Sequence, residues 1–516
     1  MFPGETARCR RRNYVITSLP MALSPQHTGA NVSRLLIIAI LLILALGAVL
    51  RVYKLGSESI WLDEAFTIQI THGSLSSIVE ETSKDVHPPL YYFVFHYWLE
   101  LFGDSEFASR LLSVLLGVLA ILAMYKLAAL MFDRTMGLFA ALLLALSPFH
   151  IEFSQEARMY TMLTLLTLLS MYFLTRMLAE KPGRVALAGY VISSALMMYT
   201  HVYSLFIIAA QNLFVFSLVF LSRDTFRRIW KRWLIAQATL AVLFIPWLSV
   251  LMQQVSRVQK GFWIPRLPAT ALVDTLFTFA GSRHLALIFF PLAAVAIFVG
   301  LRGRGRPEKA ALDERTSNEL SGRLKTYLLL LWLICPVVFP FVISQVSSPI
   351  FLPKYTIPAS LAFLILVTRG LVSVRFHQLQ MALMLLIMGF SIVALRGYYA
   401  TTRKDAWRDV VAGFTKLAKP NDLVLFNQQS GQSPFDYYAR RSDLIEKPFP
   451  DYHSELRIDN IAELIKPLVD GQDRVWLVLS HQGVLTPLIP EQLKQWYTVT
   501  VHRIDPGVET YLFEKR

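Results

Sequence analysis

The most regular feature of the chain is a series of apolar stretches, each bounded by polar residues. A helix needs roughly 20 apolar residues to cross the hydrocarbon core of a bilayer. Eleven stretches approach this length. They cover residues 34–53, 109–131, 136–151, 159–178, 185–200, 203–221, 234–252, 284–301, 326–345, 356–373 and 379–396. The pattern predicts an α-helical polytopic membrane protein with eleven transmembrane helices.

A different pattern begins near Tyr398, where short β-like runs alternate with helix-like runs. The β-like runs are residues 423–426, 474–480 and 509–513, and the helix-like runs are residues 405–414 and 491–496. This alternation predicts a small α/β domain. The expected organisation is a basic tail at residues 1–33, a transmembrane module at 34–397 that includes a long first loop at 54–108, and the α/β domain at 398–516.

Composition agrees with a membrane protein. Hydrophobic residues make up 54% of the chain and charged residues only 17%, against about 25% charged residues in soluble domains. In such a protein the net charge of +14 is explained by basic cytoplasmic loops, so no nucleic-acid partner is expected. Cys9 and Cys335 lie in a basic tail and an apolar run, which predicts neither a disulfide nor a Cys-based metal site.

The distribution of basic residues predicts the orientation in the membrane. Basic clusters at residues 8–12, 227–233 and 302–325 all fall on one side of the predicted helices. The positive-inside rule puts that side, and the N-terminus, in the cytoplasm. With an odd number of spans, the α/β domain is extracytoplasmic, and the expected location is the cell membrane. The first stretch lacks a small-residue cleavage site and is interpreted as an anchor.

Four groups of polar residues are predicted to meet on the external side, and the first is an acidic pair. Asp63 and Glu64 lie in S-I-W-L-D-E-A-F-T, residues 59–67, soon after the first apolar stretch. One interpretation is a solvated loop pair or a cap for a following helix. The other is a site, because burial among aromatic residues raises the pKa of a carboxylate and makes it a usable base.

The second group is D-V-H-P-P-L-Y-Y, residues 85–92, whose double proline breaks any helix. Asp85 and His87 are candidates to join a metal site with Glu64. The alternative is that His87 is a loop histidine bonded to backbone. No H-x-x-x-H or similar ligand spacing is present, so metal binding is not favoured.

The third group is H-I-E-F-S-Q-E-A-R-M-Y, residues 150–160. If this segment is helical, Glu152, Glu156 and Tyr160 share one face. Arg158 lies elsewhere on the turn and is a candidate to bind an anion. The alternative is a structural Arg–Glu pair at a helix end.

The fourth group is P-K-Y, residues 353–355, just before the tenth apolar stretch. Lys354 either snorkels to the lipid headgroups or serves as a cation for a lipid phosphate. His201 is also predicted to lie on this side and is interpreted as polar lining.

Taken in order, these motifs resemble the bacterial family 39 glycosyltransferases. The matching segments are W-L-D-E-A-F, D-x-H-P-P-L-Y-Y, S-P-F-H-I-E-F-S-Q-E-A-R-M-Y-T-M and P-K-Y, and K-D-A-W-R-D at 404–409 is also similar. Family members have the GT-C fold and are related to protein O-mannosyltransferases and to lipid A aminoarabinose transferases. The resemblance spans all eleven stretches. It identifies the superfamily and not the individual substrate.

The resemblance implies an inverting hexosyl- or pentosyltransferase that takes its sugar from a polyprenyl phosphate and acts on the outer face of the membrane. Carried over, Asp63 is the general base, Glu64 its neighbour in the site, and Arg158 and Lys354 the groups that hold the donor phosphate. Family members often have Arg where Lys354 stands. The remaining candidates for substrate binding are Asp85, His87, Glu156, Tyr160 and Tyr355.

The same resemblance implies no metal, although a divalent ion stays open. The acceptor is a lipid, a glycan or a protein. An alternative function is a transporter or flippase for lipid-linked sugars, but transporters usually show repeated halves and charges near the midplane. No internal repeat is visible here. A scaffold that binds the lipid-linked sugar without turnover is a third possibility.

The predicted topology leads to a first test. A reporter fused after Arg516 is expected to lie outside the cytoplasm, because an odd number of spans separates the two termini. An alkaline phosphatase fusion reports an external position, and a green fluorescent protein fusion reports a cytoplasmic one. Fluorescence of the fusion without phosphatase activity would mean that the span count is wrong by one.

Overall fold

The computed structural model describes residues 26–179, 183–261, 263–302, 320–427, 429–450, 457–481 and 483–516. The chain divides into two compact units, residues 1–42 and 43–516. Only the helical stretch 26–42 of the first unit is described, and the features below belong to the second. Cys9, most of the predicted basic tail and the middle of the predicted inside loop 302–325 lie outside the described residues.

Helices form most of the structure. In chain order they are α1 (Gln26–Val52), α2 (Leu62–Thr71), α3 (Leu75–Lys84), α4 (Leu90–Phe102), α5 (Glu106–Met131), α6 (Arg134–Leu146), α7 (Pro148–Ser154), α8 (Tyr160–Met177), α9 (Arg184–Met198), α10 (Ser204–Leu221), α11 (Arg223–Lys260), α12 (Thr270–Ala280), α13 (Arg283–Arg302), α14 (Gly322–Val346), α15 (Ile357–Val372), α16 (His377–Ala400), α17 (Trp407–Thr415), α18 (Gln432–Ala439), α19 (Ile461–Val469) and α20 (Leu488–Leu493). A 3-10 turn, Pro353–Thr356, precedes α15.

Each of the eleven predicted apolar stretches overlaps a helix. Within the described ranges, eight helices are long and apolar enough to cross a membrane, or nine if the bent pair α6 and α7 is one span. The eight are α1, α5, α10, α11, α13, α14, α15 with its preceding turn, and α16. The other two predicted spans are α9, which has only 15 residues, and α8, which is interrupted by Thr and Ser. The chain is a multi-pass membrane protein.

The bend between α6 and α7 is explained by a proline and a buried arginine. The two helices meet at 61°, and Pro148 has no N–H to bond the carbonyl of Leu144 four residues earlier. The guanidinium of Arg51 donates to the carbonyls of Leu144 and Ala145, both at 3.1 Å. Its Nε donates to Ser154 Oγ at 3.1 Å. Arg51 therefore satisfies the backbone groups that the bend leaves open.

The predicted first loop, residues 54–108, is largely helical because it contains α2, α3 and α4. The hydroxyl of Ser74 caps α3 by accepting the N–H of Ser77, and Ser105 caps α5 in the same way. Pro88 and Pro89 separate α3 from α4, since proline cannot donate to a helix. The acidic pair thus lies on a short helix, α2, that packs against α4.

The C-terminal region contains a five-stranded mixed sheet. Its strands are β1 (Leu423–Phe426), β2 (Ile445–Pro448), β3 (Arg474–Ser480), β4 (Tyr497–Asp505) and β5 (Val508–Lys515), in the order β2-β1-β3-β5-β4. The pairs of β1 are parallel and those of β5 antiparallel. Parallel neighbours need crossover connections, which α18 and α19 provide. The three predicted β-like runs lie in β1, β3 and β5.

One apolar core lies on each face of this sheet. Trp407 and Phe414 of α17 pack with Trp476 of β3 on one face, and Ile461 and Ile465 of α19 cover the other. On the first face, α18 also contacts α2 of the transmembrane module. The sheet therefore positions α18 against the helix that carries the acidic pair.

The role of Arg51 can be tested by substitution. Arg51→Met should lower the stability of the purified protein by about 2 kcal/mol or more, because it removes the donors that Arg51 supplies to two buried carbonyls and to Ser154 Oγ. Thermal unfolding in detergent measures the effect as a lower Tm. Arg396→Met changes an exposed arginine on α16 and should leave the Tm unchanged. Equal Tm values for both variants would contradict the explanation of the bend.

Candidate active site

The acidic pair occupies the first turn of α2, where carboxylates are favoured by the helix dipole. Neighbouring residues on a helix point about 100° apart, so Asp63 and Glu64 face different surroundings. Glu64 is completely buried, whereas 26% of the Asp63 side chain is exposed. The two carboxylates therefore belong to two different sets of contacts.

Glu64 is enclosed by four donors from three other parts of the chain. Arg110 of α5 donates to both carboxylate oxygens, from Nε at 2.8 Å and from Nη2 at 2.7 Å. The amide of Ala157 donates at 3.0 Å, and Lys404 Nζ lies 3.1 Å from Oε1. Burial opposes ionisation, but the charges of Arg110 and Lys404 hold the pKa of Glu64 well below its usual value. Glu64 is thus an ionised, fully bonded group.

Asp63 faces two cations. Lys354 Nζ lies 3.3 Å from its Oδ2, and Arg158 Nη1 donates to its backbone carbonyl at 3.3 Å and to Thr67 Oγ1 at 2.8 Å. Burial opposes ionisation, yet Arg158 and Lys354 keep the pKa of Asp63 below its usual value. The structure therefore brings Asp63, Arg158 and Lys354 together.

Aromatic rings surround the ammonium of Lys354. Its Nζ lies 5.8 Å from the ring centroid of Trp61, 6.0 Å from that of Tyr160 and 5.8 Å from that of Tyr355. Rings at these distances attract a cation. They also restrict access of water to the ion pair that Lys354 makes with Asp63.

The rings of Trp61, Tyr160 and Tyr355 form an aromatic wall, and two buried histidines extend it. The rings of His87 and His201 are 4.9 Å apart, and His201 lies 5.1 Å from the ring of Tyr355. Burial, helped by the neighbouring positive charges, lowers the pKa of His87 well below its usual value and that of His201 to about 3. Both imidazoles are therefore neutral, and each offers one donor and one acceptor.

Residues 155–159 interrupt the helix expected across the third motif. α7 ends at Ser154 and α8 starts at Tyr160, so the segment is not one helix, and the condition under which Glu152, Glu156 and Tyr160 would share a helical face is not met. The amide of Ala157 bonds Glu64 instead of a carbonyl one turn earlier, and that contact fixes the break. Glu152 pairs with Arg403 at 2.8 Å.

Asp85 and His87 lie at the start of the P-P turn. The side chain of Gln254 donates to the carbonyl of Asp85 at 2.8 Å and so fixes this turn to α11. Burial raises the pKa of Asp85. Within the part of the chain that the structure describes, no three His, Cys, Asp or Glu side chains are grouped closely enough to hold a metal ion.

Buried polar atoms without partners are concentrated around the site. Most buried polar groups in folded proteins are hydrogen-bonded, so such a group of exceptions points to a ligand. Those near the site that find no partner among the described residues include Trp61 Nε1, His87 Nδ1, Tyr92 Oη, Glu156 Oε2, Arg158 Nε, Tyr160 Oη and His201 Nε2.

Two cavities lie beside Tyr398. One, of about 410 Å³, is lined by Glu152, Tyr398 and Arg403 among others. The second, of about 310 Å³, is lined by Gln155, Tyr398 and Lys404 among others. Tyr398 lines both cavities, and the second cavity is also lined by Arg110 and Lys404, the two cations that contact Glu64.

Sequence reasoning missed two groups that hold the site together, Arg110 and Lys404. Arg110 lies in the second predicted apolar stretch, and an ionisable residue in such a stretch is itself a signal of a site. Lys404 stands in the quoted K-D-A-W-R-D segment, but no spacing rule links that segment to α2. All nine residues predicted for the site lie in this one region.

Comparisons with known proteins agree with the resemblance seen in the sequence. Residues 86–250 match the family model described as dolichyl-phosphate-mannose-protein mannosyltransferase. No curated protein sequence matches the chain significantly.

Solved structures of two other proteins are similar over most of the chain. ArnT from Cupriavidus metallidurans, in the apo state and bound to undecaprenyl phosphate, is 15% identical with a TM-score of 0.61, covering 92% of this chain and 97% of that one. The oligosaccharyltransferase AglB from Archaeoglobus fulgidus, in complex with an inhibitory peptide and a dolichol-phosphate, is 12% identical with a TM-score of 0.55, covering 89% and 72%. The chain has the GT-C fold, and its predicted resemblance to GT-C glycosyltransferases is confirmed.

The pH dependence of stability tests the environment of Glu156. Burial raises the pKa of this carboxyl from 4.5 to about 7. A raised folded-state pKa means that its contribution to stability is present below about pH 4.5 and is lost as the pH rises through about 7. Glu156→Gln keeps the neutral form, so its Tm should match the wild type near pH 5 and exceed it at pH 8.

Thermal unfolding at several pH values measures this difference. Glu463→Gln, at an exposed position of α19, should follow the wild type at every pH. If the Tm of Glu156→Gln runs parallel to that of the wild type at every pH, ionisation of Glu156 does not reduce the stability of the protein.

Proposed function

We propose that this protein is an inverting glycosyltransferase that moves a sugar from a polyprenyl-phosphate donor to an acceptor on the outer face of the membrane. The observation that carries the proposal is the position of Asp63, whose carboxylate pairs with Lys354 and whose backbone carbonyl accepts from Arg158, in a region rich in unpartnered buried polar atoms. The GT-C fold supports it. The orientation, with the N-terminus in the cytoplasm of a cell membrane, is part of the proposal.

Lys354 and Arg158 are the proposed site for the donor phosphate. Arg158 Nε is buried and unpartnered among the described residues, and a guanidinium suits a phosphate because it donates two parallel bonds. Lys354 adds a point charge. These fixed cations stabilise the lipid phosphate as it leaves.

The aromatic wall is the proposed site for the sugar. Three polar atoms of this wall are unpartnered among the described residues: His87 Nδ1, His201 Nε2 and Tyr160 Oη. They can form hydrogen bonds with the hydroxyl groups of a sugar. The flat rings of Tyr160 and Tyr355 offer apolar faces for its C–H groups. Asp85, with its raised pKa, is proposed to hold the P-P turn and to contact the sugar.

Asp63 is the proposed general base. In the reaction the acceptor oxygen forms a bond to the anomeric carbon, the acceptor proton passes to Asp63, and the bond from carbon to the phosphate oxygen breaks. The electron pair of that bond leaves with the lipid phosphate. The transition state resembles an oxocarbenium ion, which a nearby carboxylate also stabilises. One displacement inverts the anomeric centre.

Donor binding also prepares Asp63 for this role. The pKa of Asp63 is held down by Arg158 and Lys354, which makes the free carboxylate a weak base. A bound phosphate neutralises those two cations, so the pKa of Asp63 rises toward the range in which a base is effective. Glu64, bonded on all sides, is proposed to fix α2 rather than to react.

The comparisons support the donor class. ArnT was solved with undecaprenyl phosphate, and AglB with a dolichol-phosphate and a peptide. From these likenesses we infer a polyprenyl-phosphate donor here, with a lipid, glycan or protein acceptor that reaches Asp63 from the cavities at Tyr398. We further propose that no metal takes part in the transfer.

Transfer of label from polyprenyl-phosphate sugars to membrane extract tests the proposal. Asp63→Asn should reduce the rate at least about 100-fold, the usual effect of losing a general base. Asp274→Asn, an exposed position on α12, should behave as the wild type. Equal transfer by the wild type and Asp63→Asn would refute the assignment, and loss of wild-type transfer with EDTA would refute the metal-free part.

A further inference from the structure

Lys404 joins the C-terminal region to the candidate active site. It lies between α16 and α17, and only 11% of its side chain is exposed. Its Nζ is 3.1 Å from Glu64 Oε1 and donates to the carbonyl of Gln155 at 3.1 Å. Burial lowers the pKa of Lys404, but the charge of Glu64 opposes this shift. One ammonium therefore bonds two separate parts of the site.

These two parts carry the proposed base and phosphate-binding groups. Glu64 directly follows Asp63 in α2, and Gln155 begins the non-helical segment that contains Arg158. The side chain of Gln155 is itself fixed, because it donates to the carbonyl of Arg51 at 2.9 Å and accepts from Tyr398 at 2.9 Å. Lys404 thus links α2 to the segment 155–159, in addition to the bonds that Ala157 makes to Glu64 and that Arg158 makes to the carbonyl of Asp63.

The α/β domain determines where Lys404 lies. The amide of Ala406 donates to the carbonyl of Pro506, in the turn between β4 and β5, at 2.9 Å. Asp405 packs so closely on Gly507 that a Cβ there would lie 1.9 Å from its carboxylate. Trp407 follows within the core of the sheet. The segment that presents Lys404 is therefore anchored to the sheet by backbone and side chain.

The same domain also holds both ends of α2. The hydroxyl of Tyr438 on α18 accepts the amide of Ile60 at 2.7 Å and donates to Glu106 at 3.0 Å. Further along α2, Ser433 donates to the side chain of Gln69 at 2.6 Å. These contacts restrict rotation of α2, and with it the direction of Asp63.

We propose that Lys404 is a positioning residue through which the α/β domain sets the geometry between Asp63 and Arg158. This inference rests on the proposed transferase function. Among the described residues, Lys404 bonds Glu64 and the carbonyl of Gln155 and makes no ion pair or hydrogen bond with Lys354 or the aromatic wall. Its loss therefore affects the reacting geometry rather than donor binding. Glu64 keeps Arg110 and Ala157 when Lys404 is removed, so α2 remains folded.

The test compares Lys404→Met, Lys404→Arg and the control Lys416→Met, which changes an exposed lysine after α17. Lys404→Met should lower kcat at least 10-fold, with the KM for a polyprenyl-phosphate sugar within twofold of the wild type. Lys404→Arg should recover most of the rate, because a guanidinium can also reach Glu64 and a carbonyl. Wild-type kcat in Lys404→Met, or a change confined to KM, would overturn the proposal.

Hydrogen–deuterium exchange gives a readout that does not depend on activity. Lys404→Met should increase exchange in peptides covering α2 and residues 155–159, whereas Lys416→Met should not. Tyr438→Phe, which removes the acceptor of the Ile60 amide just before α2, should raise exchange in α2 alone. If Lys404→Met does not purify as a folded protein, Lys404→Gln takes its place in both measurements. Unchanged exchange in α2 and in residues 155–159 would overturn the proposal.

The two proposals fail in different ways. If the wild type transfers no sugar, or if Asp63→Asn transfers as well as the wild type, the proposed function is wrong. If the wild type is active, Asp63→Asn is inactive and Lys404→Met keeps the wild-type kcat, only the role of Lys404 is wrong.

Discussion

The carboxylate of Glu64 is fully enclosed, and a charge in such a place costs several kcal/mol unless it is paired. Arg110 pairs with it through two bonds and uses its remaining N–H groups on the carbonyls of Leu55, Glu58 and Ser59. Breaking a buried pair of this kind typically costs about 3–5 kcal/mol. The pair therefore fixes α2, the start of α5 and the chain between α1 and α2 as one unit, and the site is built on that unit.

The rest of the site follows from this constraint. With Glu64 turned inward, its neighbour Asp63 must point about 100° away, toward Lys354. The amide of Ala157 is drawn to Glu64, which breaks the helix between α7 and α8 and brings Arg158 against the carbonyl of Asp63. One buried ion pair thus orients the proposed base and the proposed phosphate-binding arginine together.

The site also depends on residues far apart in the chain. Lys354 comes from the turn before α15, a helix almost entirely enclosed by others, and Lys404 comes from the segment that leads into the α/β domain. Each places a cation beside a carboxylate of α2. The sheet domain is therefore linked to α2 by ionic and hydrogen bonds as well as by the packing of α18, and these links are the physical basis for its proposed influence on Asp63.

Periodicity and composition alone determined the helical membrane class, the positions of the apolar helices, and the strands β1, β3 and β5, because these depend on local spacing along the chain. The ordered motifs also located all nine candidate residues, since the resemblance to GT-C glycosyltransferases joins segments that spacing cannot join. The tertiary structure alone decided which of Asp63 and Glu64 faces inward. It also decided that Ala157, Arg110 and Lys404 are the groups that bond Glu64. The physical reason is that a buried charge must find its partners wherever packing brings them, and no local pattern records where that is.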